Sequence, residues 1–458
     1  MQVEFWHRAA HRRAAGGIPL LVLLLAAGVV HAQTVIPPIG ERTSAAVRVI
    51  AAQASVKSAL AAMERDDALT MKDQFELNEI EAPPFKETRR AEEFARRLRA
   101  TGLSEVRIDT EGNVIGVRRG RGNGASSDSP APRLVVSAHL DTVFAEGTDV
   151  KVKLKDGRYY APGIYDDARG LAAVLQLART MNELKIDTVG DVIFVGTVGE
   201  EELGDLRGVK ALFREDTAID GFISVDGPQV WRVVYAATGS RRYKITFKGP
   251  GGHSFAAFGL PSATHAMGRA IAKVGDVRTP SFPKTTFTVG TVSGGTSVNA
   301  IAAFAEIGLD MRSDSAEELA KLEKQILPLM QAAADEENRR WEAKAESQIK
   351  VEFKLVGDRP AGAQAYNSPV VEAARASLVA LGLEARSIAA SSTDSNTPIA
   401  LGIPAATLGG GGSGGGSHSP GEWWQPVNAW QGPQNLLLTT LGLVGLDGVS
   451  APLLPKRK

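Results

Sequence analysis

Several short segments of this sequence place carboxylates and imidazoles where apolar runs end. After LVVSA comes His139-Leu140-Asp141. In extended backbone, residues two apart face the same way, so these two side chains can cooperate. A carboxylate that accepts the second ring N–H of a metal-ligating histidine fixes its tautomer and raises its basicity. The same spacing also describes a structural histidine with a capping acid. Asp166-Asp167 stand among glycines directly before a helical run, which suits a helix N-cap and a metal-binding turn alike. Glu200-Glu201-Glu202 follow the apolar run VIFVGT. On a surface, three consecutive acids form a solvated charge run. At the tip of a buried strand they need a cation nearby. Asp226 ends another apolar run, and His418 leaves the glycine-rich stretch 409–416.

Of seven histidines, His7, His11 and His31 fall near the N-terminus, and His265 reads as structural within an apolar helical stretch. His139, His253 and His418 remain, each in a Gly- or Asp-rich turn. There is no cysteine, so thiol catalysis, disulfides and thiolate metal sites are excluded, and any metal must be held by His, Asp and Glu.

The elements that must position these residues form two textures. Residues 44–63 and 86–101 read as helices, and 106–118 as a strand pair around Glu111-Gly112-Asn113. From 133 to 225, continuous apolar strands alternate with helices at 170–184 and 209–214. That pattern predicts an α/β fold: a mainly parallel sheet with helices on both faces. From about Val234 the texture changes: 241–248 alternates as a half-exposed strand does, 285–292 and 303–311 read as strands, and 262–274 and 315–343 as helices. This predicts a smaller α+β domain set into the larger one. The α/β texture returns after Val351. In open α/β sheets ligands bind beyond the carboxyl ends of the strands, where the acids and histidines fall.

The chain has 458 residues, 43% hydrophobic and 23% charged, with equal numbers of acidic and basic residues. A globular protein of two or three domains follows, and nothing in the charge suggests a nucleic-acid partner. Arg8, Arg12 and Arg13, the apolar run 16–30 and Val30-His31-Ala32 have the form of a secretory leader cleaved after Ala32. A periplasmic or secreted location is expected, with no stable membrane span once the leader is removed; the alternative is that the segment is retained as an uncleaved N-terminal anchor.

Taken together, HLDTV, GIYDDARG, EEELG, VDG, PGGHS, GGTSVNAIA, DMRS and SHSPGE resemble, in order and spacing, the M20 metallopeptidases. The resemblance extends over about residues 45–445. It implies a catalytic α/β domain (33–233 and 351–458, after the leader 1–32) interrupted by a lid or dimerisation domain (234–350). It implies two divalent cations, zinc foremost, with cobalt or manganese as alternatives. His139 and Asp226 resemble the terminal ligands of one, Glu202 and His418 those of the other, and Asp166 the carboxylate bridging both, followed by a cis peptide. Asp141 resembles the acid behind His139, and Glu201 the general base for a hydroxide shared by the metals. His253 matches a histidine that reaches across a dimer to the developing oxyanion. Asn299 and Arg312 match residues that hold substrate, Arg312 being suited to a carboxylate. Because the acids are three in a row, the register of base and ligand rests on Leu203-Gly204.

These readings lead to an exopeptidase acting on short peptides. The paired acids Asp166-Asp167 favour an aminopeptidase of tripeptidase type. A carboxypeptidase or an N-acyl amino acid deacylase is the neighbouring alternative, and a non-enzymatic binding protein on a peptidase scaffold the remote one.

Overall fold

A computed structural model describes residues 36–123 and 131–457. Contacts divide the chain into Met1–Ile36 and Pro37–Lys458, and the described sheets all belong to the second unit. The expected leader at 1–32 lies outside the described residues. Among those described, no single helix is long and apolar enough to cross a membrane.

The large sheet has eight strands. Its centre is built from Asp191–Thr197, Arg133–His139, Gly221–Val225 and Ala405–Leu408, side by side and parallel. Glu105–Ile108 and Val114–Arg118 extend one side antiparallel, and Arg232–Ala237 and Ser387–Ser391 complete the other. The central strands are apolar on both faces because both are covered. Leu134, Val136, Val192 and Phe194 point into a core shared with helices Thr88–Ala100, Ala168–Glu183, Pro369–Ala380 and Gln431–Val444. Val135, Ile193, Val195 and Phe222 point the opposite way, against helices Arg207–Glu215 and Asn396–Ala400. Because the central strands run parallel, their carboxyl ends collect on one rim, and there His139, the acids at 200–202 and Asp226 emerge.

A second, antiparallel sheet of four strands runs in the order Thr285–Gly294, Phe304–Ser313, Gly239–Lys248, Lys350–Arg359. One face, including Ile245, Phe247, Ile307 and Met311, packs on helices Ala263–Gly275 and Ala316–Arg340 as a separate core. The alternate residues Arg242, Lys244, Asp310 and Arg312 face a cavity against the rim. Strand Lys350–Arg359 belongs to this sheet, so the smaller module continues through Arg359 and not only to residue 350. The helix expected over 44–63 is two helices, Glu41–Ala52 and Ala54–Arg65, bent by 75°. The bend lets Ile50 and Val56 both reach the main core.

A small third sheet pairs Ser413–Gly415 with Trp423–Gln425, and that strand with Arg158–Tyr160. The fully buried Trp424 anchors it among Ala161, Ile164 and Tyr165. This sheet carries the turn that presents His418.

Candidate active site

The rim gathers the expected residues around one carboxylate. Asp166 Oδ1 lies 3.0 Å from His139 Nε2, and Asp166 Oδ2 lies 3.2 Å from His418 Nε2. Ser417 Oγ donates to the same Oδ2 at 3.0 Å. His139 ends its strand buried, with Nδ1 3.0 Å from the Asp141 carbonyl and 3.6 Å from the Asp141 carboxylate. A carbonyl cannot donate, so Nδ1 carries the proton and Nε2 is the ring atom offered to the site. The two acids of the Asp166-Asp167 turn divide the work. Asp166 enters the site, while Asp167 caps helix Ala168–Glu183 through Gly170 N and accepts from His139 N, at 3.0 Å each. The peptide between them is cis, as the resemblance implied.

The three consecutive glutamates separate. Asp141, fully buried, accepts the backbone N–H groups of Glu200 at 3.0 Å and Glu201 at 2.8 Å. That fixes the loop so that Glu201 Oε1 meets His418 Nε2 at 3.1 Å. Glu200 turns to the buried Arg359, with Oε1 3.1 Å from Nη1. Glu202, expected as a metal ligand, does not join the imidazoles. Its φ of 43° puts it in the left-handed region, and its side chain is exposed on the cavity wall. Glu201, expected as the base, therefore occupies the place read for Glu202. Asp226 lines the same cavity, with Asp166 near enough to disfavour its charge.

The titration behaviour shows acids short of positive charge. Burial pushes Glu200, Glu201 and Asp226 above the usual carboxylate range, and neighbouring acids add to it. Burial works against charge on His139, but hydrogen bonds to Asp141 and Asp166 outweigh it and hold the imidazole well above its ordinary value. Asp166 and Glu201 push His418 up to about 11. Burial also opposes charge on Asp166, yet the two imidazoles hold it far below the usual range. Protons on the histidines thus do what cations would do better.

The cavity between rim and small sheet measures about 990 Å³. Acids line the rim side. On the other side Arg242 Nε and Arg312 Nε both hold Asp310, at 2.9 and 2.8 Å, and Lys244 stands beside them. Arg312 thus faces the cavity, its Nε engaged by Asp310. His253 and Asn299 are not in this cavity. Both are exposed: His253 lies on a two-stranded ribbon, Gly252–His253 against Ala300–Ile301, and Asn299 directly precedes its second strand. His265, read as structural, is largely exposed and 3.4 Å from Glu337.

Two contributors escaped the sequence reading. Glu422, within the quoted SHSPGE, is buried and accepts the N–H groups of Gly163, Tyr165 and Asp166 at 3.1, 3.0 and 3.3 Å, which shapes the turn bearing Asp166. Its place in that motif was the available signal. Arg359 ends a strand and carries no motif at all.

The donor set suits divalent cations. Ligand atoms of His139, Asp166 and Glu201 lie within 4.8 Å of one another, and His418 adds a second imidazole across Asp166. All are nitrogen or carboxylate oxygen, which suits zinc, cobalt or manganese. A rim of this kind defines a metallohydrolase of the α/β class. The chain belongs to peptidase family M20/M25/M40, whose model matches residues 135–434. It is 25% identical over 133 residues to carboxypeptidase G2 of Pseudomonas sp. (strain RS-16), a match spanning 28% of this chain and 30% of that protein. Its fold is shared with the aminopeptidase PepT of Bacillus cereus ATCC 10987, at a TM-score of 0.63 and 24% identity over 81% of this chain and 96% of that one. A Staphylococcus aureus tripeptidase gives 0.65 and 23% over the same shares. A dinuclear metal-binding M20 peptidase of Bacillus subtilis gives 0.61 and 15%, over 84% of this chain and 99% of that one. The chain is thus a metallopeptidase or amidohydrolase of the M20 kind.

Proposed function

We propose that this protein is an exopeptidase of short peptides that works with two divalent cations, zinc foremost. The observation that carries the proposal is the Asp166 carboxylate, one oxygen on His139 and the other on His418. His139 and Asp226 would hold one cation, Glu201 and His418 the other, and Asp166 both. Such cations supply Lewis acidity, polarising a carbonyl and acidifying water near neutral pH.

With Glu201 among the ligands, the proton carrier is Glu200. It is buried, lines the cavity and sits one residue from the cluster. It takes a proton from the attacking water as the water oxygen bonds to the scissile carbonyl carbon. It then returns that proton to the amine as the C–N bond breaks. The cavity has room for a few residues. Cations on one wall suit a free carboxylate, and the acids of the rim wall suit an ammonium. An aminopeptidase of tripeptidase type is the reading this favours. The cationic wall of Arg242, Lys244 and Arg312 also supports the second reading, a carboxypeptidase or N-acyl amino acid deacylase.

His253 and Asn299 lie outside the cavity between rim and small sheet, and Phe255, Phe258 and Val298 stand exposed near them. A second copy docked through this module would bring His253 and Asn299 to the partner's substrate. The leader-like segment supports export to the periplasm or medium, which sequencing the N-terminus of the mature protein checks.

The direct test is to strip the protein with a chelator, reload it with Zn²⁺, Co²⁺ or Mn²⁺, and offer free tripeptides, end-blocked tripeptides and N-acyl amino acids. Loss on acetylating the amino end marks an aminopeptidase. Loss on amidating the carboxyl end marks the second reading. Equal turnover with and without metal overturns both.

A further inference from the structure

The loop bearing the three glutamates is gripped from the small sheet as well as from beneath. Arg359 is the last residue of strand Lys350–Arg359, and it is buried. Its Nη1 donates to Glu200 Oε1 and to Ser392 Oγ, each at 3.1 Å, and its Nη2 donates to the Glu200 carbonyl. Alongside it, Arg242 Nη1 donates to the Glu202 carbonyl at 2.6 Å, and Asp358 N donates to Asp205 Oδ1 at 2.9 Å. One guanidinium thus fixes both the main chain of Glu200 and one oxygen of its carboxylate. Among the described residues no hydrogen bond engages Oε2, and Glu200 and Arg359 both line the cavity. Ser392 brings in the segment Ser391–Asn396, whose Asp394 accepts from Thr197 Oγ1 at 2.5 Å and adds a second buried acid beside Arg359.

We propose that Arg359 is a positioning residue that aims the Glu200 carboxylate at the substrate and ties that aim to the placement of the small sheet. This rests on the reading of Glu200 as proton carrier. The planar fork of a guanidinium can hold a carboxylate oxygen, a carbonyl and a hydroxyl together, and the compact ammonium of lysine cannot reproduce that geometry. A base held loosely loses rate without losing substrate.

The test uses metal-loaded wild type, R359A, R359K, E200Q and the double variant R359A/E200Q, with the tripeptide that wild type cleaves best. R359A is expected to lose about 10²-fold in kcat, the cost of a misplaced catalytic group, with KM little changed and two metal equivalents retained. R359K, which keeps the charge and spares the fold, is expected to recover only part of that rate. Guanidinium ion added in solution restores part of the activity of R359A and none of E200Q. In the E200Q background R359A is expected to cost nothing further, because both variants disable one device. Independent, multiplicative losses in the double variant overturn the proposal, as does a change confined to KM. Should R359A fail to fold, R359K decides, and full kcat there overturns it. An E200Q enzyme with undiminished kcat overturns the assignment of the base and this role with it. An impaired E200Q beside an unimpaired R359A and R359K overturns the role of Arg359 alone.

Discussion

The rim of the large sheet and the tip of the small-sheet module both carry residues that the sequence marks as functional, and they are built in opposite ways. At the rim, His139, Asp141, Glu200 and Glu201 are buried, and each is tied to a neighbour from another part of the chain. Hydrogen bonds hold their geometry before substrate arrives, although the acids stay short of positive charge. At the tip, the side chains of His253 and Asn299 are exposed and their hydrogen bonds are local. His253 Nδ1 accepts from Phe255 N at 3.2 Å, and Asn299 Oδ1 accepts from Ser297 Oγ at 2.6 Å. The first region gathers its groups within one chain, whereas the second, on the proposal above, would act only when brought to a second copy.

This contrast can be broken most forcefully at the rim. Glu201→Gln is expected to abolish activity and lower metal content, while Glu200→Gln keeps the metals and loses about 10²–10⁴-fold in kcat, the usual worth of a general base. Metal analysis beside kinetics separates the two, and the reverse pattern would return the register to base at 201 and ligand at 202. At the tip, His253→Ala is expected to cost about 10²–10³-fold, the worth of one oxyanion donor, with metal content unchanged. If the histidine acts across a dimer, mixing inactive His253→Ala with inactive Glu200→Gln restores activity in the mixed dimer. No restoration on mixing would remove the second copy from the site.

A pH effect sharpens the comparison further. In metal-free protein the pKa of His418 is raised to about 11 by Asp166 and Glu201, and that of Glu422 to about 8 by burial. Both groups bind protons more tightly folded than unfolded, so their contribution is full below the ordinary values and is lost as pH rises through the raised ones. The Tm of metal-free protein is therefore expected to fall as pH rises from about 4.5, where Glu422 begins to lose its contribution, towards about 11, where His418 has lost its own. Metal-loaded protein should hold its Tm there, and parallel curves would show that the cluster does not respond to cations. The smallest effect belongs to Glu202. Glu202→Gly removes a side chain from a left-handed backbone and should leave metal content intact and raise stability by up to about 1 kcal/mol. Loss of metal in this variant would contradict the placement of Glu202 outside the cluster.

Much of the rim was legible because its logic is local. Apolar strands of the right length announce a parallel sheet, and an acid or histidine directly after such a strand must emerge at its carboxyl end. The glycines and the helical run that follows marked Asp166-Asp167 but could not say which acid caps the helix, since both roles suit either residue. The glutamates misled for a related reason. Adjacent side chains differ only by backbone rotation, and the left-handed φ at Glu202 that shifts the register leaves no mark in residue type. Arg359 was invisible because its partners, Glu200 and Ser392, are distant in sequence and no short pattern joins them. The bend at Gln53 was hidden by helix-favouring residues on both sides, and it is set by packing.

The most direct test is the number of divalent cations the chain holds. After chelation and titration with Zn²⁺ under calorimetric observation, wild type should take up two equivalents with release of protons from the histidines, and Asp166→Ala should fail to hold the pair. A single equivalent in wild type, or two equivalents undisturbed in Asp166→Ala, would contradict a carboxylate shared between His139 and His418 as the centre of the site.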